Sequence, residues 1–188
     1  MKLILASNSP RRREILKEAG FTFDVVVTPF EEKDVALSPI ETAVNNALGK
    51  ATATFNSLRD KDAVVLGADT VVYFNDCILG KPKDSEDAAK MLKTLSGNTH
   101  TVVTGYAIIT QNGALSGFSE SKVTFNTLTK EQIDQYVKSG KPLDKAGAYG
   151  IQDGYNLVKT FEGSLNNVIG LPIEQIAPIL KEKMKTDN

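Results

Sequence analysis

The chain has 188 residues, of which 41% are hydrophobic and 24% charged, so it is long enough to bury a sizeable core as a single domain spanning residues 1–188. Its net charge of −1 argues against a general nucleic-acid binder or a protein that binds membrane surfaces. The single cysteine, Cys77, excludes an intrachain disulfide, and no apolar run approaches the roughly 18–20 residues of a membrane span. The apolar run at residues 3–6 is too short for a signal-peptide core, so we expect a cytoplasmic protein.

The N-terminal stretch combines a short apolar run with a cationic helix start. Residues 3–6 are typical of a buried strand, and Ser9 and Pro10 suit the cap and the first turn of a helix. The N-terminus of a helix attracts anions, and three arginines at residues 11–13 add positive charge to it. This pattern predicts a cradle for a polyphosphate, the alternative being that the arginines are merely solvated.

The remaining elements follow from apolar periodicity and from turn and capping residues. After the first helix we predict, in chain order, a strand at 21–27, a loop at 28–37, a helix from Ser38 to about residue 58, a strand at 63–68, two short strands at 71–74 and 77–79, and a helix from residue 84 or 85 to about 97. Next come a hairpin of strands 99–110 and 115–126, a helix from Thr129 to near Gly140, a structured loop at 141–153, a strand at 157–161, and a helix from Pro172 that is interrupted or bent near Pro178. Ser38 with Glu41 and Thr129 with Gln132 are predicted capping boxes. Because the hairpins require antiparallel pairs, we expect an α/β fold with a mixed sheet.

Several polar residues follow the ends of predicted elements, where open α/β sheets place their sites. Asp69 comes directly after a buried apolar strand, so its carboxylate is expected at the rim of a rigid element; alternatively it is a turn residue between two strands. Glu31 and Glu32 are a second source of carboxylates, or a solvated loop pair. Lys50 and Lys81, each taken alone, are ordinary exposed lysines.

Together these residues form a recognisable chemical set. Carboxylates bind Mg²⁺, and arginines and lysines bind phosphate oxygens. The chain has neither a Walker P-loop nor a dinucleotide fingerprint, and it lacks a cluster typical of zinc and the elbow of an acyl hydrolase. From the residues alone we expect a phosphorylated small molecule as ligand, together with a divalent cation.

The sequence also resembles a known family through motifs that run in order over nearly the whole chain. The matching residues are Leu5-Ala6-Ser7-Asn8-Ser9-Pro10-Arg11-Arg12, Gly67-Ala68-Asp69-Thr70, Gly80-Lys81-Pro82, Leu95-Ser96-Gly97-Asn98-Thr99-His100, Val103-Thr104, Pro142-Leu143-Asp144-Lys145-Ala146-Gly147-Ala148-Tyr149-Gly150-Ile151-Gln152 and Asn167-Val168-Ile169-Gly170-Leu171-Pro172. They are similar to those of the Maf family of nucleoside triphosphate pyrophosphatases, named for septum formation.

The resemblance implies a fold similar to that of the inosine triphosphate pyrophosphatases: an elongated mixed sheet flanked by helices, with a cleft between two lobes. It implies hydrolysis of a nucleoside triphosphate to the monophosphate and pyrophosphate, and a homodimer. Within the family, the residues at Arg11, Thr70 and Gln152 track base preference, and this combination resembles the branch acting on dTTP and UTP. A sister branch, acting on 7-methyl-GTP, usually has a bulky aromatic residue where Arg11 stands.

The family resemblance also implies a role for each site residue. Asp69 corresponds to the proton acceptor. Because a free aspartate has a pKa of about 3.9 and is a weak base, we expect it to act together with a divalent cation, Mg²⁺ or Mn²⁺. Glu32 is the candidate second metal ligand. The groups expected to neutralise the triphosphate and the leaving group are Ser7, Arg12, Lys50 and Lys81.

Thr70 and Gln152 are expected to hydrogen-bond the edge of a pyrimidine. Two other hypotheses remain at this point: a pyrophosphatase directed at purines such as inosine or modified guanosine triphosphates, and a regulator of septum formation that senses nucleotides without hydrolysing them.

Overall fold

The computed structural model describes residues 1–32 and 38–185, and its centre is one mixed β-sheet with helices on both faces. The strands are β1 Lys2–Leu5, β2 Asp24–Val25, β3 Ala63–Phe74, β4 Cys77–Leu79, β5 Thr99–Thr110, β6 Gly113–Phe125 and β7 Val158–Glu162. Their order is β2-β1-β3-β5-β6-β7, and β4 pairs with β3. The pairs of β1 with β2 and β3 are parallel and the others are antiparallel, so the predicted α/β class with a mixed sheet is confirmed.

The helices begin close to the residues that the sequence indicates. They are α1 Pro10–Glu18, α2 Pro39–Ser57, α3 Ser85–Leu95, α4 Lys130–Lys138, α5 Leu165–Ile169 and α6 Ile173–Lys185. Both predicted capping boxes are confirmed: Ser38 and Glu41 cap α2 reciprocally, and Thr129 and Gln132 do the same for α4. These pairs form because their members lie three residues apart on one helical turn.

Core residues form separate groups toward the two ends of the long strands. At one end, Leu66 and Ile108 belong to a cluster that α1 and α6 cover, while α2 covers the opposite face of the sheet. At the other end, Val72 and Val102 belong to a cluster with α3 and α4. Strands β3 and β5 therefore contribute to both groups, and the middle of β3 lies between them. This arrangement agrees with the predicted pair of lobes.

Helix α2 approaches the sheet closely because two glycines face it. A Cβ atom added to Gly67 would lie 2.5 Å from the carbonyl oxygen of Ala47, and one added to Gly105 would lie 2.4 Å from the carbonyl carbon of Ala43. A Cβ atom essentially never comes that close to a non-bonded atom, so any larger residue would push the helix outward. The two glycines thus determine how near the side chains of α2 come to β3.

The prediction of two separate strands at 63–68 and 71–74 was wrong. We predicted two strands, at 63–68 and 71–74, with Asp69 at the end of the first, but Ala63–Phe74 is a single strand of 12 residues. The extended conformation continues because β5 pairs with β3 from Val65 to Tyr73 without interruption. Asp69 consequently lies in the middle of a strand and neither ends one nor forms a turn.

Three other predictions differ from the structure. Strand β2 is only Asp24–Val25, shorter than the predicted 21–27, because it pairs with just the last two residues of β1. Helix α5 falls in a segment for which we predicted no element. The last helix begins at Ile173 and continues through Pro178 without interruption.

The loop at 141–153 contains three short 3₁₀ helices, Lys141–Asp144, Ala146–Ala148 and Ile151–Asp153. Part of the loop predicted at 28–37 lies outside the described residues. None of the helices in the described part of the chain is long and apolar enough to cross a bilayer.

Candidate active site

A gap along one edge of β3 creates the candidate site. Strand β1 pairs with β3 only as far as Leu66, and β4 pairs with the same edge only from Val72 onward. Among the described strands, none pairs with this edge between those two points. Asp69 and Thr70 lie in that interval, and a cleft of about 540 Å³ opens beside them. All nine residues predicted for the site line this cleft: Ser7, Arg11, Arg12, Glu32, Lys50, Asp69, Thr70, Lys81 and Gln152.

Asp69 is buried against α2 and is hydrogen-bonded at both carboxylate oxygens. The side-chain amide of Asn46 donates to Oδ2 at 3.2 Å, and the ammonium of Lys50 donates to Oδ1 at 2.8 Å. Asn46 and Lys50 are four residues apart and therefore project from the same face of α2. Sequence reasoning missed Asn46, although its spacing from Lys50 could have indicated it.

Lys50 links the two predicted metal-binding carboxylates. Its Nζ lies 2.6 Å from Oε1 of Glu32 and 2.8 Å from Oδ1 of Asp69. Burial acts to raise the pKa of Glu32, but the hydrogen bond and charge of Lys50 outweigh it and hold that pKa below its usual value. The ring of Phe30 lies where a Cβ of Gly49 would be, so this glycine lets the segment that carries Glu32 settle on α2.

Arg12 forms the opposite wall of the cleft. Its Nε donates to the carbonyl oxygen of Gly170 at 2.8 Å, Nη1 donates to Oγ of Ser7 at 3.2 Å, and Nη2 donates to Oγ1 of Thr70 at 3.1 Å. Burial lowers the pKa of Arg12, while the charge of Asp69 acts in the other direction. The guanidinium is thus held rigidly on the side of β3 opposite to Lys50.

The hydroxyl of Thr70 takes part in a directed chain of hydrogen bonds. Thr104 donates its hydroxyl proton to the carbonyl oxygen of Asn167 at 2.9 Å, so at 2.9 Å from Thr70 it can only accept. Thr70 therefore donates to Thr104 and accepts from Arg12. One acceptor lone pair of the Thr70 hydroxyl is left for a ligand, and no proton.

The start of α1 forms one end of the cleft. Ser9 caps the helix by accepting from the backbone N–H of Arg12, and Pro10 occupies the first helical turn, as predicted. The Ser7 hydroxyl accepts from the backbone N–H of Ser9 at 3.2 Å. The turn between β1 and α1 is therefore rigid, and its polar groups face the cleft.

The other two residues predicted to set base specificity, Arg11 and Gln152, lie at or in the loop at 141–153. Arg11 donates from Nη1 to Oδ2 of Asp144 at 2.8 Å, and Gln152 is exposed in the 3₁₀ helix Ile151–Asp153. Burial acts to raise the pKa of Asp144, but its hydrogen bonds with Arg11 and Lys145 lower it. Asp144 and Lys145 also line the cleft, and we did not predict a role for either.

The sequence profile of the Maf-like protein family matches residues 2–183. The chain belongs to that family.

Curated relatives cover almost the same length. A Bacillus cereus (strain G9842) protein named dTTP/UTP pyrophosphatase is 45% identical over 183 residues, which is 96% of this chain and 95% of the relative. A Bacillus anthracis protein of the same name matches to the same extent. The solved structure of the Staphylococcus aureus Ham1 protein is similar in fold, with a TM-score of 0.56, 14% sequence identity, and coverage of 97% of this chain and 100% of that one.

Proposed function

We propose that this protein is a nucleoside triphosphate pyrophosphatase that hydrolyses dTTP and UTP to the monophosphate and pyrophosphate. The observation that carries the proposal is the pair of carboxylates, Asp69 and Glu32, held 2.8 and 2.6 Å from one ammonium in a cleft whose other walls carry arginine and lysine. The names of the curated relatives, at 45% identity, support the same reaction and the same substrates.

The cationic groups would bind the triphosphate. Arg12 and Lys81 line the same cleft from different elements, and the N-terminus of α1 adds its partial positive charge. Phosphate oxygens bind preferentially where guanidinium, ammonium and N–H groups converge. We assign Ser7, Arg12, Lys50 and Lys81 to this role.

The carboxylates fit a divalent cation, and Mg²⁺ or Mn²⁺ is proposed. The observation behind this fit is the position of Lys50, whose ammonium already places one positive charge between Glu32 and Asp69. No group of three or more metal-binding side chains occurs in the part of the chain that the structure describes, so further ligands would be phosphate oxygens and water, as Mg²⁺ prefers. A bound cation would acidify water and neutralise phosphate charge.

Asp69 is assigned as the proton acceptor. The oxygen of the attacking water forms a bond to the α-phosphorus, and the bond from that phosphorus to the oxygen bridging toward the β-phosphate breaks. Pyrophosphate leaves with the electron pair of that bond, and a proton of the water passes to Asp69. Each oxygen of this carboxylate accepts one hydrogen bond, from Asn46 or from Lys50, so each keeps a lone pair for a proton.

Arg11, Thr70 and Gln152 are assigned to base selection. The hydroxyl of Thr70 can offer a ligand only an acceptor, because its proton is directed at Thr104. Thymine and uracil carry a ring N–H at the position where cytosine carries an acceptor nitrogen. The remaining lone pair of Thr70 therefore favours thymine and uracil over cytosine.

The test is pyrophosphate release from a panel of nucleoside triphosphates with Mg²⁺, including dTTP, UTP, dCTP and purine nucleotides. We expect dTTP and UTP to be preferred, and we expect Asp69→Asn to lower turnover by at least about 100-fold without loss of folding. Preference for purine nucleotides would support the pyrophosphatase reaction but contradict the proposed specificity for dTTP and UTP. Binding of nucleotides without release of pyrophosphate would favour a sensor.

A further inference from the structure

Four side chains of alternating charge run from Arg11 to the turn that carries Gln152, two of the residues assigned to base selection. Nη1 of Arg11 lies 2.8 Å from Oδ2 of Asp144, and Oδ1 of the same carboxylate lies 2.9 Å from Nζ of Lys145. The ammonium of Lys145 in turn lies 3.4 Å from Oδ2 of Asp153. The row begins at one predicted specificity residue, Arg11, and ends next to another, Gln152.

Lys145 is the centre of this row and is buried, with 8% of its surface exposed. Its ammonium has a third partner, the carbonyl oxygen of Lys141, at 2.6 Å. The ammonium donates hydrogen bonds to the carbonyl of Lys141 and to Asp144, and Asp153 adds a longer ion pair at 3.4 Å. The head group is therefore held from three directions.

The far end of the row fixes the turn that carries Gln152. The hydroxyl of Tyr136, a fully buried residue, donates to Oδ2 of Asp153 at 2.6 Å and accepts from the backbone N–H of Gly150 at 2.9 Å. A Cβ added to Gly150 would lie 2.8 Å from both Lys145 Cε and Asp153 Oδ2. The turn is thus anchored on both sides of Gln152, at Gly150 and at Asp153.

We propose that Lys145 is a positioning residue for base selection, which holds Arg11 through Asp144 and the Gln152 turn through Asp153 in one fixed relative geometry. The inference rests on the proposed function, because it concerns how that site selects a base. Arg11 lies in α1 and Gln152 lies 141 residues further along the chain, so their spacing depends on contacts between distant segments.

A purely structural role is a weaker explanation for this arrangement. The Asp144 side chain is 58% exposed, and ion pairs that reach solvent contribute little net stability. The pair of Lys145 and Asp153 is buried, and such a pair also contributes little compared with well-packed apolar side chains of similar size, because both charges lose their hydration. Ion pairs do define direction and distance, because each hydrogen bond has a narrow geometry. Both ends of this row reach residues that line the cleft, which is where fixed geometry affects a ligand.

The experiment measures base selection separately from hydrolysis, using the α,β-methylene analogues of dTTP and dATP, whose α–β linkage cannot be hydrolysed. The quantity is the ratio of the two dissociation constants. We expect Lys145→Met to lower the preference for the thymidine analogue by about tenfold, because both base-contacting groups lose their fixed position. Lys145→Arg should restore part of the preference.

Lys141→Met is the matched control. It removes a lysine from the same 3₁₀ helix, but that ammonium lies 5.3 Å from the ring centre of Tyr155, and only the backbone carbonyl of Lys141 contacts Lys145. We expect it to leave the ratio unchanged. If Lys145→Met does not fold, Tyr136→Phe removes only the hydroxyl that holds Asp153 and Gly150, and it should lower the same ratio.

A double-mutant cycle tests whether Lys145 acts through Gln152. In a Gln152→Ala background, Lys145→Met should cost less selectivity than in the wild-type chain, because part of what it positions is already absent. The inference would be overturned if Lys145→Met left the ratio of dissociation constants unchanged, whether or not both analogues bound more weakly. It would also be overturned if the wild-type chain showed no preference between the analogues. Selective binding by a wild-type chain that releases no pyrophosphate from dTTP would instead reject the proposed hydrolysis and leave the inference standing.

Discussion

Lys50 links two of the acidic residues that line the cleft, Glu32 and Asp69. Its ammonium lies between Glu32 and Asp69, and removing it would leave two carboxylates facing a site with no fixed positive charge between them. Carboxylates that share a site repel one another unless a cation joins them. The ammonium of Lys50 would therefore compete with a divalent cation for Glu32 and Asp69, the two proposed metal ligands.

We expect Lys50→Met to bind Mn²⁺ more tightly than the wild-type chain in the absence of nucleotide, by about tenfold. Calorimetric titration of the nucleotide-free proteins with Mn²⁺ measures this. Lys81→Met is the control, because it removes the same charge from the same cleft while leaving the bridging ammonium in place. Equal tightening in both variants would mean that only the overall field of the cleft matters.

His100 gives a prediction of how stability depends on pH. It is buried between the rings of Phe125 and Tyr149, and its Nε2 lies 2.7 Å from the hydroxyl of Tyr149. Burial lowers the pKa of His100 from 6.5 to about 4. The folded protein therefore keeps this ring neutral at a pH where the unfolded chain binds a proton.

The stabilisation from neutral His100 is complete above pH 6.5 and is lost as the pH falls toward 4. Between pH 7 and pH 5 we expect the free energy of unfolding to fall by about 2 kcal/mol. Urea denaturation at the two pH values measures the change, and His100→Gln should abolish most of it. Because His100 is the only histidine, no other imidazole contributes in this range. A slope that persists in the variant would contradict the assignment.

At the scale of elements, α2 carries both side chains that hold Asp69. Its distance from β3 is limited by Gly67, which faces the carbonyl of Ala47, and by Gly105 on the neighbouring strand. An outward shift of the helix by a fraction of an ångström would lengthen the hydrogen bonds from Asn46 and Lys50. Packing in the core and the geometry of the site are coupled here.

We therefore expect Gly67→Ala to destabilise the fold by about 1–3 kcal/mol and to lower pyrophosphate release as well. Alanine ordinarily stabilises a strand relative to glycine, so a loss of stability would identify the clash with α2 as its cause. Denaturation curves and turnover are the two measurements. Gly80→Ala is the control for stability, since nothing lies within 4 Å of its added Cβ. Unchanged stability in Gly67→Ala would show that α2 can move at little cost.

At the scale of the whole molecule, two strands join the two groups of core residues. Val65 and Val72 of β3 lie in different groups, as do Ala107 and Val102 of β5. Loss of either group would leave one end of both strands without its packing partners. We propose that residues 1–188 form one folding unit.

One folding unit should unfold in a single cooperative transition. Calorimetry should give equal calorimetric and van 't Hoff enthalpies, and far-ultraviolet and near-ultraviolet circular dichroism should report the same midpoint in urea. Two separated midpoints would mean that the lobes unfold independently. The homodimer implied by the family resemblance remains a prediction.

Features that depend on residues close together in the chain, such as helix caps and hairpins, could be predicted from the sequence. The helix caps at Ser9, Ser38 and Thr129 involve partners three residues away, and the hairpin of β5 and β6 follows from two strand patterns on either side of the turn Gln111-Asn112-Gly113. Such patterns are visible in sequence because the interacting groups are adjacent on one turn or one hairpin. Local patterns of charge, together with the resemblance to the Maf family, selected nine residues that the structure brings into one cleft.

Which partners the nine predicted site residues contact depends on the tertiary structure. Arg12 bonds to Gly170 across 158 positions of the chain, Arg11 to Asp144 across 133, and Lys50 to Asp69 across 19. The continuity of β3 likewise comes from its pairing with β5, and so Asp69 lies inside a strand that local pattern had divided. Contacts of this kind depend on how sheets and helices pack, and a single sequence read locally carries no signal for the partner of a distant side chain.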